Sequence, residues 1–229
     1  MKEIIDLYYD ENKKELHELF ENIENNIDGR ICHSSIILLK IICNIEKIEN
    51  YLEIGVHNGG SMSLLLTNNN SKNLIGLDLF EDMYNLNKHL NYEKYSTYQY
   101  FRRDNLAISK TIKNLNYIKS LNKNNSIISL IQGNTYFDET EEKFNNICNY
   151  YIDLLFIDGD HTLDGVKNDF ERYSKYVKKN GYIVFDDYHH EIIKNYCDTL
   201  FNNNNNYKVI TTFKTFNSEA IDLLVIKLI

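Results

Sequence analysis

The chain has 229 residues, of which 43% are hydrophobic and 25% charged, the size and balance of one ordinary α/β domain, which excludes a fibrous repeat and wholesale disorder. Lysine plus arginine number 25 against 33 aspartate plus glutamate, a formal charge of −8; a phosphate-tracking surface is therefore disfavoured and no nucleic-acid partner is expected. No run of 18 apolar residues occurs and the first residues are charged, so neither a membrane span nor a secretory leader is expected, and the chain reads as cytoplasmic.

Four cysteines, Cys32, Cys43, Cys148 and Cys197, form no CxxC pair, and free, mostly buried thiols are expected rather than a zinc ribbon or a disulfide framework. The chain has no proline and is rich in asparagine, isoleucine, lysine and tyrosine. That bias resembles the imprint of an AT-rich coding sequence, so asparagine runs such as 202–206 read as solvated loop.

In chain order, Leu16, Leu19, Phe20, Ile23 and Ile27 fall at helical spacing in residues 11–27, and Ser34-Ser35 are placed to cap a second apolar helix over 36–45. These N-terminal helices occupy residues 1–48. Short apolar runs follow at 51–54, 74–77, 127–131, 152–157 and 182–185, separated by helical or loop-like stretches. Five strands alternating with helices predict a parallel sheet covered on both faces, with right-handed crossovers. Residues 207–213 and 221–229 are β-rich and joined by a link too short for a crossover helix, which predicts an antiparallel pair.

The stretch 79–125 is too long for a plain crossover and carries Tyr84, Tyr92, Tyr95, Tyr98, Tyr100 and Arg102-Arg103. It reads as a lid or specificity insertion, with a pair of surface helices as the alternative.

The chemistry concentrates at strand ends. The first strand runs into Glu53-Ile54-Gly55-Val56-His57-Asn58-Gly59-Gly60-Ser61, a glycine-rich turn opening a helix, where a ligand can approach the backbone closely. The glycine spacing is not GxGxxG, and the GK[ST] ending of a phosphate loop is missing, which argues against a dinucleotide or a nucleoside triphosphate. The second strand ends at Asp78, where a carboxylate can accept both hydroxyls of a ribose.

Glu53, the turn containing Gly55, Asn58, Gly59 and Ser61, and Asp78 together resemble the cofactor site of class I S-adenosylmethionine-dependent methyltransferases. The terminal strand pair resembles the reversed last strand of that fold. The resemblance covers roughly residues 50–229 in order of elements. It implies an α/β, Rossmann-like, doubly wound sheet of seven strands, mostly parallel with a reversed last strand, N-terminal helices and an insertion after the second strand, all in a single domain. It also places Gly133 and Asn134, which follow the third strand, near the adenine.

The fourth strand ends in Asp158-Gly159-Asp160-His161 and the fifth in Asp186-Asp187. Like-charged Asp158, Asp186 and Asp187 would repel unless a cation sits between them, and hard oxygen ligands suit Mg²⁺, with Mn²⁺ or Ca²⁺ as alternatives. An IDGDH strand end followed by an acidic pair resembles the metal-dependent sugar O-methyltransferases of macrolide pathways and their cephalosporin-pathway relatives. By that resemblance Asp158, Asp186 and Asp187 bind Mg²⁺, Asp158 also borders the cofactor, and His161 is the base. The first residue of the acidic pair is often glutamate in that subgroup and is aspartate here.

Asp160 reads as a helix cap, His57 as a positioning residue, and His189 and His190 as solvated or hydrogen-bonded. The expected activity is methylation of a hydroxyl on a sugar, a nucleotide-sugar or another small polyhydroxylated molecule, with S-adenosylmethionine and Mg²⁺ as cofactors. An NAD-dependent oxidoreductase and a non-catalytic nucleoside-binding protein are the alternatives, and a homo-oligomer stays open.

Overall fold

A computed structural model of the chain describes residues 1–28, 31, 34–80, 108–202, 204–214 and 223–229. The first helix, α1 (Lys2–Asn26), starts well before the expected residue 11, and its buried side chains Ile5, Tyr9, Leu16, Phe20 and Ile23 lie on one stripe. A short 3₁₀ turn, Ser34–Ile36, leads into α2 (Ile37–Ile45). The expected serine cap is corrected here: the capping position is Ile36, which makes no side-chain cap, and the serines lie inside the 3₁₀ turn instead.

The remaining elements are β1 (Asn50–Ile54), α3 (Gly60–Leu66), β2 (Asn73–Asp78), α4 (Ile108–Leu121), β3 (Ile127–Gln132), α5 (Asp138–Ile147) and β4 (Ile152–Ile157). They continue with α6 (Leu163–Tyr173), a 3₁₀ turn at Ser174–Tyr176, β5 (Val177–Phe185), α7 (Glu191–Asn202), β6 (Tyr207–Phe213) and β7 (Leu223–Leu228). Helix α4 falls in the second half of the expected 79–125 insertion. Its five named tyrosines and Arg102-Arg103 lie outside the described residues.

The seven strands form one sheet in the order β3-β2-β1-β4-β5-β7-β6. Strands β1 to β5 pair in parallel, while β7 is inserted antiparallel between β5 and β6. The expected doubly wound sheet with a reversed last strand is thus the observed one. Because side chains alternate along a strand, β1 sends Tyr51 to one core and Leu52 and Ile54 to the other. The first core is closed by α1 to α4 and the second by α5 to α7, so both faces are covered, as the unbroken apolar strand runs predict. Cys43, Cys148 and Cys197 are free and buried, and Cys32 lies outside the described residues.

This order reverses direction between β1 and β4, and in such sheets ligands bind outside the carboxyl ends of the strands at that point. Backbone bonds hold the strand ends in one row: Gly55 N–H to Leu77 C=O at 2.9 Å, Asp158 N–H to Ile54 C=O at 2.8 Å, and Asp186 N–H to Ile157 C=O at 3.0 Å.

Candidate active site

Gly55 turns out of β1 with φ of +89°, and a Cβ there would overlap the carbonyl oxygen of Asp158. Only glycine lets the ends of β1 and β4 approach this closely. The turn continues through His57, at φ +52°, and Gly59, at φ +85°, which caps α3. Asp78 holds this turn shut. Its carboxylate accepts the His57 N–H at 2.7 Å and the Phe80 N–H at 2.9 Å, one on each oxygen. A carboxylate has acceptor capacity beyond two bonds, so Asp78 remains able to meet a diol while it fixes the loop.

Glu53 is fully buried on the inner face of β1. It accepts from Tyr51 Oη at 2.7 Å, two residues earlier on the same face, and from the Ser61 hydroxyl of α3. Burial pushes its carboxyl up to about 8, with the two hydroxyl donors opposing the rise and the Asp78 charge adding to it.

Asn58 is buried, its Oδ1 3.0 Å from His57 Nδ1. Two residues that sequence reasoning did not single out support this loop from α4. Thr111 donates to the His57 carbonyl at 2.7 Å. Asn114 donates to the carbonyls of Asn58 and Asp28, both at 3.0 Å, and accepts the Asp28 N–H at 2.9 Å. A polar pair at i and i+3 on the buried stripe of α4 is the only mark they leave in the sequence.

Beyond β3, the Gly133 N–H donates to the Asp78 carbonyl at 3.0 Å, and a Cβ at Gly133 would overlap the Thr140 hydroxyl. The Asn134 side chain accepts the Tyr136 N–H at 2.9 Å, and its carbonyl accepts from Phe137 N–H at 3.0 Å and Thr140 Oγ1 at 2.7 Å. Gly133 and Asn134 therefore stand beside Asp78 in a tightly tied turn.

Past β4, Asp158, His161 and Asp186 each offer one donor atom, all within 4.8 Å of one another. His161 Nε2 lies 4.0 Å from Asp158 Oδ1, while its Nδ1 contacts Asp187 Oδ2. Burial alone would lower the His161 pKa, but the hydrogen bond and charge of Asp187, with the charge of Asp186, outweigh it and raise the value. The helix cap expected at Asp160 is instead Thr162, whose hydroxyl accepts the Gly165 N–H at 3.1 Å at the start of α6, while Asp160 accepts the Thr162 N–H at 3.1 Å and so braces the turn before the cap.

The chain leaves the sheet after Phe185, and Asp187 adopts φ of +57°. Asp186 then turns to Asp158 and His161. Asp187 is instead grouped with His189 and His190, its Oδ1 lying 3.9 Å from His190 Nε2. Asp158, Asp186 and His161 thus form one group, and Asp187, whose Oδ2 contacts His161, lies in a neighbouring group with His189 and His190.

The carboxylates of Asp158 and Asp186 suit a divalent cation, since two carboxylates this close repel unless a positive charge stands between them, while His161 Nε2 stands beside them as a proton acceptor. Asp169 on α6 is 1% exposed under Gly159; among the described residues its Oδ2 has no hydrogen-bond partner, and burial raises its pKa to about 7, opposed by bonds from Thr135 and Asn168.

The profile of a methyltransferase-domain family matches residues 52–188, which run from β1 to just past the acidic pair. The chain belongs to this methyltransferase family. A protein of Acanthamoeba polyphaga mimivirus, uncharacterized protein R132, is 35% identical over 183 residues, covering 78% of this chain and 70% of its own length. An O-methyltransferase from Bacillus cereus, solved in complex with SAH, superposes with a TM-score of 0.59 at 16% identity over 100% of both chains. The O-methyltransferase TomG from Streptomyces achromogenes, solved with SAM, gives 0.61 at 11% identity over 93% of this chain and 89% of its own. At these identities the two structures establish the methyltransferase fold, and the family match makes this chain a methyltransferase by descent. Among the described residues, no helix is long and apolar enough to cross a membrane.

Proposed function

We propose that the protein is an S-adenosylmethionine-dependent, Mg²⁺-assisted O-methyltransferase acting on a hydroxyl of a sugar or another small polyhydroxylated molecule. The observation that carries this reading is the row of Glu53, Gly55, Asp78, Asp158 and Asp186 along the carboxyl edge of the sheet, with His161 among the last two. Gly55, Asn58, Gly59 and Ser61 with Glu53 would cradle the amino-acid end of the cofactor. Asp78 would take the ribose, and Gly133, Asn134 and Asp158 would border the rest of the nucleoside. The tight backbone at Gly55 and the carboxylate of Asp78 suit a nucleoside with a free diol.

A sulfonium methyl group is already activated, so the protein's task is alignment of the acceptor oxygen and removal of its proton. Asp158 and Asp186 would hold a divalent ion, which when bound orients vicinal hydroxyls and lowers the acceptor's pKa. His161, held by Asp187 through Nδ1, keeps Nε2 turned toward Asp158 to accept that proton. A hydroxyl acceptor is favoured because a neutral alcohol must lose its proton and gains from the ion, whereas a free carboxylate or amine would need no metal. The two solved O-methyltransferases described above, and the resemblance of the IDGDH and Asp186-Asp187 pattern to sugar O-methyltransferases, support the same acceptor class. The reading further takes the protein to work in the cytoplasm, without nucleic acid.

The test is transfer of tritiated methyl from S-adenosylmethionine to a panel of sugars, nucleotide-sugars and catechol-like diols, with Mg²⁺ or with EDTA. Label in a hydroxyl product only with Mg²⁺ is the expected result. Equal turnover in EDTA would remove the ion from the reading, and label in none of these hydroxyl acceptors but in an amine or a nucleic acid added to the panel would remove the acceptor class.

A further inference from the structure

We infer that Asp187, His189 and His190 form a second cation site, rich in imidazole, that takes a first-row transition ion such as Co²⁺, Ni²⁺ or Zn²⁺. It is distinct from the carboxylate-rich position between Asp158 and Asp186. One donor atom from each of the three side chains lies within 4.8 Å of the other two. A tetrahedral ion with ligands at about 2.0–2.2 Å sets its donors about 3.3–3.6 Å apart, so small side-chain rotations close the set.

The local backbone prepares this arrangement. Asp187 sits at φ +57°, where the chain turns off the sheet. The His190 N–H donates to the Asp187 carbonyl at 2.8 Å, and the His190 carbonyl accepts the Lys194 N–H at 2.8 Å, which ties the turn to α7. This folds both imidazoles back over the carboxylate, with their ring centroids 4.1 Å apart.

The two oxygens of Asp187 have separate tasks. Oδ2 meets His161 Nδ1, while Oδ1 faces His190 Nε2 at 3.9 Å. A ligating carboxylate is commonly fixed by a hydrogen bond on its other oxygen, and His161 supplies that bond here. Asp187 is buried, whereas His189 and His190 are exposed, so an ion reaches the site from solvent without opening the fold.

Two neutral imidazoles and one carboxylate favour cobalt, nickel or zinc over Mg²⁺, which prefers oxygen and gives up water reluctantly. The chain therefore separates two kinds of ion on either side of His161. This assignment does not depend on the methyltransferase reading, since it rests on the mutual placement of Asp187, His189 and His190 alone.

The experiment is a Co²⁺ titration of the full-length, tag-free protein, followed by calorimetry and visible absorption in excess Mg²⁺. It compares wild type, Asp158→Ala and the double variant His189→Ala/His190→Ala. Wild type and Asp158→Ala are expected to keep a Co²⁺ site that Mg²⁺ does not displace, and the double variant to bind at that site at least tenfold more weakly. Unchanged Co²⁺ affinity in the double variant, or loss of the site in Asp158→Ala, overturns the assignment. Both replaced histidines are exposed, and an unaltered melting midpoint of the double variant confirms that it is folded. No cofactor or acceptor enters the titration, so failure of the methyltransferase reading leaves its outcome interpretable.

Discussion

His161 is bound from both sides by acid: its Nδ1 meets Asp187 Oδ2, and its Nε2 lies 4.0 Å from Asp158 Oδ1. These contacts join the end of β4 to the turn after β5, two chain segments that meet only because β4 and β5 are neighbours in the sheet. Asp187 thereby orients the imidazole that is proposed as the base.

If His161 removes the acceptor's proton, His161→Ala should lower kcat by about 10²- to 10⁴-fold, the usual share of a general base. Asp187→Asn should lower it by a smaller factor in the same direction, since the ring keeps its place but loses its orienting charge. Affinity for S-adenosylhomocysteine, measured by calorimetry, is expected to stay near wild type in both. A large loss of that affinity in His161→Ala would place the residue in cofactor binding instead.

Glu53 makes a prediction about pH. Its carboxyl is pushed up to about 8 in the folded chain, against about 4.3 for an unperturbed glutamate. The folded state therefore holds this proton more tightly than the unfolded state between those values. Its contribution to stability is complete below the unfolded range and is lost as pH rises through about 8. Melting temperature should fall from pH 5 to pH 8, and Glu53→Gln should flatten that slope. Asp169, raised to about 7, leaves a residual slope of the same sign. An identical slope in Glu53→Gln would show that this burial does not govern the titration.

Gly55→Ala places a Cβ at φ +89° against the carbonyl oxygen of Asp158. The left-handed backbone alone costs about 1–2 kcal/mol, and the overlap forces β1 and β4 apart. Reduced melting temperature together with lost S-adenosylhomocysteine binding is expected, whereas wild-type binding would show that the site tolerates the added methyl.

Asn114 serves three backbone groups of residues 28 and 58. Asn114→Ala leaves buried groups without their partners, which costs about 2 kcal/mol, or roughly 4–8 °C at this chain length. Chemical denaturation measures the first figure and calorimetry the second. Because the Asn58 loop loses its anchor, cofactor affinity should fall as well.

The strand ends were legible because each joins an apolar run to a residue type that chemistry requires there: glycine at 55, carboxylates at 78, 158 and 186. Strand β4 matches its expected span fully, since Ile152–Ile157 is apolar apart from Asp153. Other features depend on tertiary contacts that a linear pattern does not carry. The first ten residues of α1 are rich in charge, and only packing reveals that Ile5 and Tyr9 continue its stripe. The separate placement of the Asp186 and Asp187 side chains goes with the left-handed backbone at Asp187, which two adjacent aspartates do not announce. Thr111 and Asn114 acquire meaning only when α4 is set against the β1 turn.

The central claim is that the site at the carboxyl ends of β1 and β4 binds S-adenosylmethionine. Thermal unfolding with S-adenosylhomocysteine, and separately with NAD, tests it most directly. A ligand at about one hundred times its dissociation constant adds about 2.7 kcal/mol, or roughly 5–11 °C at 2–4 °C per kcal/mol. The account predicts a shift of that order with S-adenosylhomocysteine and none with NAD. A shift with NAD and none with S-adenosylhomocysteine would contradict it.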